Sequence, residues 1–235
     1  MAAAPIVLVP GYWLGGWAWE RVTPLLRAAG HPVTALTLPG LEAGAAERAP
    51  GVTLEDHVGA VADAVRAAGP TTVLVAHSGA GKVVTAVLDR EPAAVARVVY
   101  VDSGPAADGL AEPLPPDLVE LALPPWSELE ASVDGLSEDD LATFRKRAVP
   151  HPAAVVREPL RLHDPARRGV PATLVACSFP AASVLELAGA GHPMFAEVAE
   201  LSDLTTVDLP TGHWPMWSRP GELAELVAEA AGRGH

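Results

Sequence analysis

Cysteine and lysine are scarce in this sequence of 235 residues, and each shortage excludes a class of protein. The single cysteine, Cys177, excludes an intramolecular disulfide and a cysteine-based metal cluster. The lysines are Lys82 and Lys146, and the formal net charge is −13. Because nucleic acids and anionic membrane surfaces favour clustered basic residues, we expect neither as a partner. A small neutral or apolar molecule is the better match.

Long apolar runs are also missing, although 49% of the residues are hydrophobic. No run approaches the roughly 18 residues that a membrane-spanning helix needs, so no span is expected. Residues 1–5 show neither the basic region nor the apolar region of a signal peptide, and this favours a cytoplasmic location. The composition predicts a globular protein with one sizeable core.

Short apolar runs alternate with amphipathic stretches along the chain. Continuous apolar runs are typical of strands that are covered on both faces, and the alternation predicts a doubly wound, mostly parallel α/β sheet. Ligands of such sheets bind at the carboxyl ends of the strands. The six predicted strands are Ile6–Val9, Val33–Leu38, Val73–Ala76, Val98–Val101, Ala172–Cys177 and Leu204–Leu209.

One stretch interrupts this alternation. Residues 105–170 lie between two predicted strands, contain ten prolines and show only broken helical patterns. Structureless loops of this length are uncommon in compact domains, so we expect a mostly helical cap over the strand ends. The remaining residues, 1–104 and 171–235, would form the core domain. The alternative is a surface excursion without a role.

The most informative motif is a serine at the end of the third predicted strand. The stretch Val73-Leu74-Val75-Ala76-His77-Ser78-Gly79-Ala80-Gly81 joins an apolar run to a predicted helix through a sharp turn at Ser78. The small residues allow this turn, which would project the Ser78 hydroxyl beside the first N–H groups of the helix. The pattern is typical of a nucleophile elbow. A serine that only caps the helix is the alternative.

A phosphate-binding loop is a further alternative for the same stretch. Residues 76–83 follow the pattern A-x-x-x-x-G-K-V, against G-x-x-x-x-G-K-[ST] for such a loop. Ala76 replaces the first glycine, and Val83 has no hydroxyl for a magnesium ion. The nucleotide-binding hypothesis therefore lacks its metal ligand.

Two further loops carry candidate groups. His213 lies in Thr211-Gly212-His213-Trp214, after the last predicted strand, from where its imidazole can reach Ser78. A glycine-rich turn follows the first strand at Pro10-Gly11-Tyr12, and it can direct the backbone N–H of Tyr12 towards the same point as that of Gly79. Two such donors would stabilise the oxyanion of a tetrahedral intermediate. A turn that needs glycine only for steric reasons is the alternative.

With these motifs the chain resembles the α/β-hydrolase superfamily, in particular its small capped members of the esterase and hydroxynitrile-lyase type. The resemblance rests on Pro10-Gly11 as a variant oxyanion loop, the Ser78 elbow, the inserted cap and the late Gly212-His213 pair. It implies the order serine, acid, histidine and calls for no metal or organic cofactor.

The acid departs from the pattern of many relatives. Their aspartate follows the strand after the cap, but here residues 178–183 contain no carboxylate. Some relatives, such as haloalkane dehalogenases, place the acid after the strand that follows the elbow helix, and Asp102 lies at that point. Glu186, Asp208 and a pair without any carboxylate stay open as alternatives.

The resemblance and the motifs predict a serine hydrolase that cleaves an ester-like bond, thioesters, lactones and amides included, of a small apolar or aromatic substrate. Large side chains near the two loops would line its pocket, and the candidates are Trp13, His77, Trp126 and Trp214. Two other hypotheses remain. Ser78 and His213 could transfer protons without a covalent step, for lyase, cyclase or C–C cleavage chemistry, or the pocket could only bind a ligand.

Overall fold

The computed structural model describes residues 3–44 and 51–233. Within these ranges six parallel strands form one sheet in the order β2-β1-β3-β4-β7-β8. Neighbouring strands are in a register that brings their carboxyl ends together, with Val9 beside Ala76 and Val101 beside Val175. The bounds are β1 Ile6–Val9, β2 Val33–Ala35, β3 Thr72–His77, β4 Val95–Val101, β7 Ala172–Ala176 and β8 Leu204–Asp208.

The strands agree with the sequence prediction in number and direction. The fourth begins three residues earlier than predicted, at Val95, and the second is three residues shorter than predicted. It ends at Ala35, whereas the apolar run extends to Leu38. Beyond Ala35 the Leu36 amide still donates to the Leu8 carbonyl at 2.9 Å, and Thr37 Oγ1 accepts a hydrogen bond from the Gly16 amide at 2.9 Å. Pro39 then lacks the N–H that a further ladder bond would need.

Helices cover both faces of the sheet, because alternate side chains of each buried strand point to opposite sides. On β3, Val73 and Val75 belong to one apolar core, and Leu74 and Ala76 belong to the other. The first core is closed by α1 Thr23–Ala28 and α9 Pro220–Gly232, and the second by α2 Leu54–Ala68 and α3 Ala80–Arg90.

The other described helices outside segment 105–170 are short. Two of them lie between β7 and β8 along the chain, α6 Ala181–Gly189 and α7 Ala196–Ala199. The third, α8 Pro215–Ser218, follows β8. No helix in the described part of the chain has both the length and the apolar character needed to cross a bilayer.

Segment 105–170 contains less helix than the sequence prediction of a mostly helical cap. Its α-helices are α4 Glu138–Arg147 and α5 Ala153–Arg157, and its strands β5 Glu120–Leu121 and β6 His151–Pro152 form a small antiparallel pair. Single 3₁₀ turns and irregular stretches make up the rest. Prolines are the physical reason, since each removes a backbone donor and disfavours a helical residue before it.

Candidate active site

Ser78 lies at the turn between β3 and α3 with a backbone φ of 54°. This left-handed conformation is strained for a residue with a side chain, and it is what the sharp turn requires. Gly11 of the loop after β1 approaches the turn so closely that an added Cβ would lie 2.8 Å from Ser78 Cβ. The Ser103 hydroxyl supports the turn by donating to the Ser78 carbonyl at 2.6 Å.

His213 reaches Ser78 from the loop after β8. Its Nε2 lies 2.7 Å from Ser78 Oγ, a hydrogen-bond distance, although the two residues are far apart in sequence. Segment 105–170 holds this loop in place, because the His213 amide donates to the Ser132 carbonyl at 2.7 Å. At Gly212 an added Cβ would lie 2.5 Å from the carbonyl oxygens of both Ser132 and Asp134. Glycine is therefore required there for the close approach.

Asp102 is the carboxylate that faces His213. It follows β4 with a φ of 42°, and its Oδ2 lies 2.5 Å from His213 Nδ1. Burial raises the pKa of Asp102, but the hydrogen bonds and charge of His213, with the hydrogen bonds of Ser178, outweigh burial and lower it to about 2. The group is therefore ionised at neutral pH.

The two alternative carboxylates lie elsewhere. Asp208 ends β8 and accepts a hydrogen bond from the Ala181 amide at 2.7 Å, so its carboxylate holds the start of α6. Glu186 lies within α6, on its exposed side. Of the three candidates, Asp102 is the one that the structure brings to hydrogen-bond distance of His213.

Ser178 is the residue that sequence reasoning missed. Its amide donates to Asp102 Oδ1 at 2.9 Å and its hydroxyl donates to Asp102 Oδ2 at 2.6 Å. The Cys177 amide adds a bond of 3.1 Å to Oδ1. The signal was available, because β4 and β7 are neighbours in a parallel sheet and their following loops must meet. The loop after β7 lacks a carboxylate but supplies donors for one.

Two backbone amides are available beside Ser78. Within the described ranges, neither the Tyr12 amide nor the Gly79 amide donates a hydrogen bond. Tyr12 belongs to a turn in which the Leu14 amide bonds to the Gly11 carbonyl at 3.4 Å, and Gly79 is the residue directly before α3. Amides at a helix start carry partial positive charge and suit a developing anion.

His77 and Trp214 do not line an open pocket, contrary to the sequence prediction. The His77 side chain is fully buried, and its Nε2 lies 2.7 Å from the His213 carbonyl oxygen. Burial and the neighbouring His213 lower the pKa of His77 to about 3, so it is neutral and donates this bond from Nε2. Trp214 is 2% exposed and belongs to the core. Sequence position placed both beside the site, but His213 packs on His77 and Phe144 packs on Trp214.

Trp13 and Trp126 are partly exposed. Trp13 Nε1 donates to the Leu121 carbonyl at 2.9 Å and so ties its loop to segment 105–170. Trp126 packs against Phe144, with the Arg145 guanidinium 4.0 Å from its ring centroid. Phe144 is fully buried at the centre of an aromatic cluster whose other members are Trp17, Trp126, Trp214 and Trp217.

A cavity of about 10 Å³ is bordered by Tyr12, Gly79 and residues of α2, α3 and segment 105–170. His57 and His151 line it, and burial is the main cause that lowers the pKa of each. Neither nitrogen of His151, nor Nδ1 of His57, has a hydrogen-bond partner among the described residues.

Lys82 also lines the cavity, and its Nζ donates to the carbonyls of Val155, Val156 and Glu158. Burial lowers the pKa of Lys82 to about 8. A groove of about 480 Å³ between α2, α3 and residues 158–163 is lined by other residues and not by Ser78, Asp102 or His213. Among residues 3–44 and 51–233, no cluster of three His, Cys, Asp or Glu side chains is placed to hold a metal ion.

Comparison with known proteins identifies similar chains. The sequence model described as the alpha/beta hydrolase family matches residues 6–226. A carbendazim hydrolyzing esterase from Nocardioides sp. (strain SG-4G) is 32% identical, and the alignment covers 96% of this chain and 98% of that protein.

Two solved structures illustrate the structural similarity. An extracellular alpha/beta-hydrolase from a Paenibacillus species, reported to share structural and functional homology with tobacco salicylic acid binding protein 2, has a TM-score of 0.75 at 21% identity, with 96% of this chain and 97% of that chain covered. Tomato methylketone synthase I with bound beta-ketoheptanoate has a TM-score of 0.77 at 16% identity and full coverage of both chains. At these identities the two structures establish the fold alone.

Proposed function

The chain belongs to the alpha/beta hydrolase family, and from this premise we propose that it is a carboxylic ester hydrolase with Ser78 as nucleophile, His213 as general base and Asp102 as the acid. Segment 105–170 is proposed as the cap that covers the substrate. The substrate is a small molecule with an ester-like bond. The net charge of −13 disfavours an anionic one, and the partly exposed rings of Trp13 and Trp126 favour an apolar or aromatic one. The esterase from Nocardioides, similar over nearly the whole length, supports this class of reaction.

One observation carries the proposal. Ser78 Oγ, His213 Nε2, His213 Nδ1 and Asp102 Oδ2 form a continuous chain with distances of 2.7 Å and 2.5 Å. A serine hydroxyl is a weak nucleophile at neutral pH and needs a base within this range to take its proton. The base in turn needs a group that fixes its tautomer, and an ionised carboxylate at Nδ1 is such a group.

In the acylation step, His213 Nε2 takes the proton of Ser78 as Oγ attacks the ester carbonyl carbon. Asp102 stabilises the imidazolium that forms, because its negative charge lies against Nδ1. The carbonyl oxygen becomes an anion, and the unpaired amides of Tyr12 and Gly79 donate to it. When the C–O bond breaks, His213 returns the proton to the leaving alcohol, and the acyl group stays on Ser78.

In the second step, water replaces the alcohol. His213 takes a proton from this water as it attacks the acyl carbon, and the same amides stabilise the second oxyanion. The acid product leaves when Ser78 Oγ regains its proton from His213. The His77 side chain supports the site indirectly, because its hydrogen bond to the His213 backbone carbonyl holds the loop that carries the base.

The test is hydrolysis of p-nitrophenyl acetate together with covalent labelling by a fluorophosphonate. We expect the wild type to turn over the ester and to take up one label, and Ser78→Ala to do neither. Ser202→Ala, which truncates an exposed serine, is the matched control and should keep both activities. Labelling that persists in Ser78→Ala would remove Ser78 from the nucleophile role.

Mass spectrometry of the acetyl-enzyme after rapid acid quench separates covalent from non-covalent chemistry. An added acetyl group on Ser78 supports the proposal. Turnover of a cyanohydrin without any acyl-enzyme would instead support proton transfer by Ser78 and His213, and a wild type that only binds ligand would support a receptor.

A further inference from the structure

Three residues other than glycine have a positive φ within the described ranges, namely Trp13 at 66°, Ser78 at 54° and Asp102 at 42°. A left-handed backbone is costly for a residue with a side chain and unusual for a bulky one, so it persists only where the surrounding structure imposes it. Such strain clusters at functional sites. Ser78 and Asp102 belong to the proposed triad, and Trp13 is the third strained residue.

Trp13 belongs to the turn that carries the proposed oxyanion donor, the Tyr12 amide. The turn comprises residues 11–14, and the Leu14 amide closes it by donating to the Gly11 carbonyl at 3.4 Å. Its third residue has a positive φ and its second does not, which is the pattern of a type II turn, where glycine or asparagine is the usual third residue. A negative φ at Trp13 would flip the peptide group between Tyr12 and Trp13 and give a type I turn.

Two hydrogen bonds with segment 105–170 hold Trp13 in the strained conformation. The Val149 amide donates to the Trp13 carbonyl at 3.0 Å, and Trp13 Nε1 donates to the Leu121 carbonyl at 2.9 Å. The first bond fixes the backbone just after the strained φ, and the second fixes the indole ring. A glycine at this position would adopt the same φ without such support. The two bonds therefore offset the strain that the tryptophan introduces.

The other end of the turn is fixed against the proposed nucleophile. An added Cβ at Gly11 would lie 2.8 Å from Ser78 Cβ, so the Gly11 backbone packs directly on the turn at Ser78. Tyr12 lies between Gly11 and Trp13, and its amide keeps its place relative to Ser78 only while both neighbours keep their conformation. A flip of the peptide after Tyr12 would turn its carbonyl and move the residue. The oxyanion would then lose a donor at hydrogen-bond distance.

We propose that Trp13 is a positioning residue for the oxyanion hole. It acts through the backbone, because its left-handed conformation, held by segment 105–170, keeps the turn in the form that presents the Tyr12 amide. The inference rests on the proposed function, in which that amide stabilises the oxyanion. It also gives segment 105–170 a part in the reaction besides covering the substrate, since the bonds that hold Trp13 come from Leu121 and Val149.

The experiment compares Trp13→Ala with Trp13→Gly in the hydrolysis of p-nitrophenyl acetate. Both variants remove the ring, but glycine adopts a positive φ without strain and alanine does not. We expect kcat to fall about tenfold or more in Trp13→Ala with little change in KM, because loss of one oxyanion donor costs about 10²- to 10³-fold at most sites of this type. Trp13→Gly should keep most of the wild-type kcat. A ring that is needed only for packing would instead give equal losses, or a larger loss with glycine.

Two measurements separate the oxyanion from general damage. Trifluoroacetone tests the oxyanion directly: Ser78 Oγ bonds to its carbonyl carbon, the proton passes to His213 and the carbonyl oxygen becomes an anion. Its inhibition constant should rise in Trp13→Ala by about the factor that kcat loses. Gly30→Ala is the control for strain alone, since it places alanine at a φ of 95° between α1 and β2, where a Cβ meets nothing within 4 Å. It should lower Tm and leave kcat unchanged.

The outcomes are distinct. If Trp13→Ala does not fold, Trp13→Leu and Trp13→Asn repeat the comparison, because asparagine tolerates the left-handed conformation and leucine does not. A folded Trp13→Ala or Trp13→Leu with wild-type kcat, a change in KM alone, or a loss in Trp13→Gly as large as in Trp13→Ala would overturn the positioning role. With an active and labelled wild type, each of these results leaves the proposed function standing. A wild type that neither hydrolyses esters nor is labelled would overturn the proposed function and the role of Trp13 with it.

Discussion

Ser178 and Asp102 are joined by two hydrogen bonds, one from the Ser178 amide at 2.9 Å and one from its hydroxyl at 2.6 Å. The hydroxyl bonds to Oδ2, the same oxygen that faces His213 Nδ1. The residues lie 76 positions apart and meet because β4 and β7 are neighbours in the sheet. A loop that lacks the usual acid thus stabilises an acid from the adjacent strand.

The first prediction concerns the charge of Asp102. Asp102→Asn keeps the size of the side chain but removes the negative charge and favours the wrong histidine tautomer, so kcat for p-nitrophenyl acetate should fall about 10⁴-fold. Asp208→Asn, which alters a carboxylate that holds the start of α6, is the control and should keep kcat within about threefold. A similar loss in both variants would argue against Asp102 as the acid of the site.

The second prediction separates Ser178 from Asp102. Ser178→Ala removes the hydroxyl bond but leaves the amide bond, so kcat should fall by about tenfold, consistent with the loss of one hydrogen bond to a charged group. The pKa of Asp102 should rise, because Ser178 is among the groups that lower it. Steady-state kinetics measure the first effect, and carboxyl ¹³C NMR titration measures the second. Ser183→Ala in α6 is the matched control, and wild-type kinetics in Ser178→Ala would count against the assigned role.

The third prediction tests the close approach at Gly212. Gly212→Ala would place a methyl group against the carbonyls of Ser132 and Asp134, so the loop that carries His213 must move. We expect a loss of at least tenfold in kcat and a lower Tm in differential scanning calorimetry. Gly221→Ala is the control, since a Cβ there meets nothing within 4 Å, and alanine within α9 should leave Tm unchanged or raise it. An unaffected Gly212→Ala would show that the loop position is not needed.

The fourth prediction is a dependence of stability on pH from the buried His77. Its folded pKa of about 3 is below the unfolded value of 6.5, so the unfolded chain binds more protons between these values. This contribution to stability is complete above pH 6.5 and is lost as the pH falls towards 3, by about 1.4 kcal/mol per pH unit.

Urea unfolding between pH 7 and 4 measures this effect. The free energy of unfolding should fall less steeply with acid in His77→Gln than in the wild type, because glutamine does not titrate. His163→Gln, at an exposed position, provides the comparison and should keep the wild-type slope. Equal slopes in all three proteins would contradict a neutral buried His77.

The fifth prediction concerns the aromatic cluster between α4 and the His213 loop. Phe144 is fully buried and contacts the rings of four tryptophans, so Phe144→Ala should lower the free energy of unfolding by about 3–5 kcal/mol. Phe179→Ala truncates a side chain that is 59% exposed, and its effect should stay within about 0.5 kcal/mol. Chemical denaturation measures both, and equal effects would speak against a structural role for the cluster.

Local patterns predicted most of the six-stranded sheet. The α/β-hydrolase fold and the six parallel strands are confirmed. They could be predicted because continuous apolar runs mark buried parallel strands, and such runs are recognised without knowledge of distant contacts. Segment 105–170 was predicted less well. Its proline-rich stretches have no periodic pattern, and its short elements are stabilised by contacts with other parts of the chain, such as the bond from the Val149 amide to the Trp13 carbonyl.

The candidate site divides in the same way. The sequence by itself determined the turn at Ser78, because only small neighbours permit a strand to pass so abruptly into a helix, and it determined that His213 and Asp102 each follow a strand. Tertiary structure decided that Asp102 and not Glu186 or Asp208 faces His213, that Ser178 donates to it, and that His77 and Trp214 are buried. These outcomes depend on which strands are neighbours and on what packs above them, and such relations join residues that no local pattern connects.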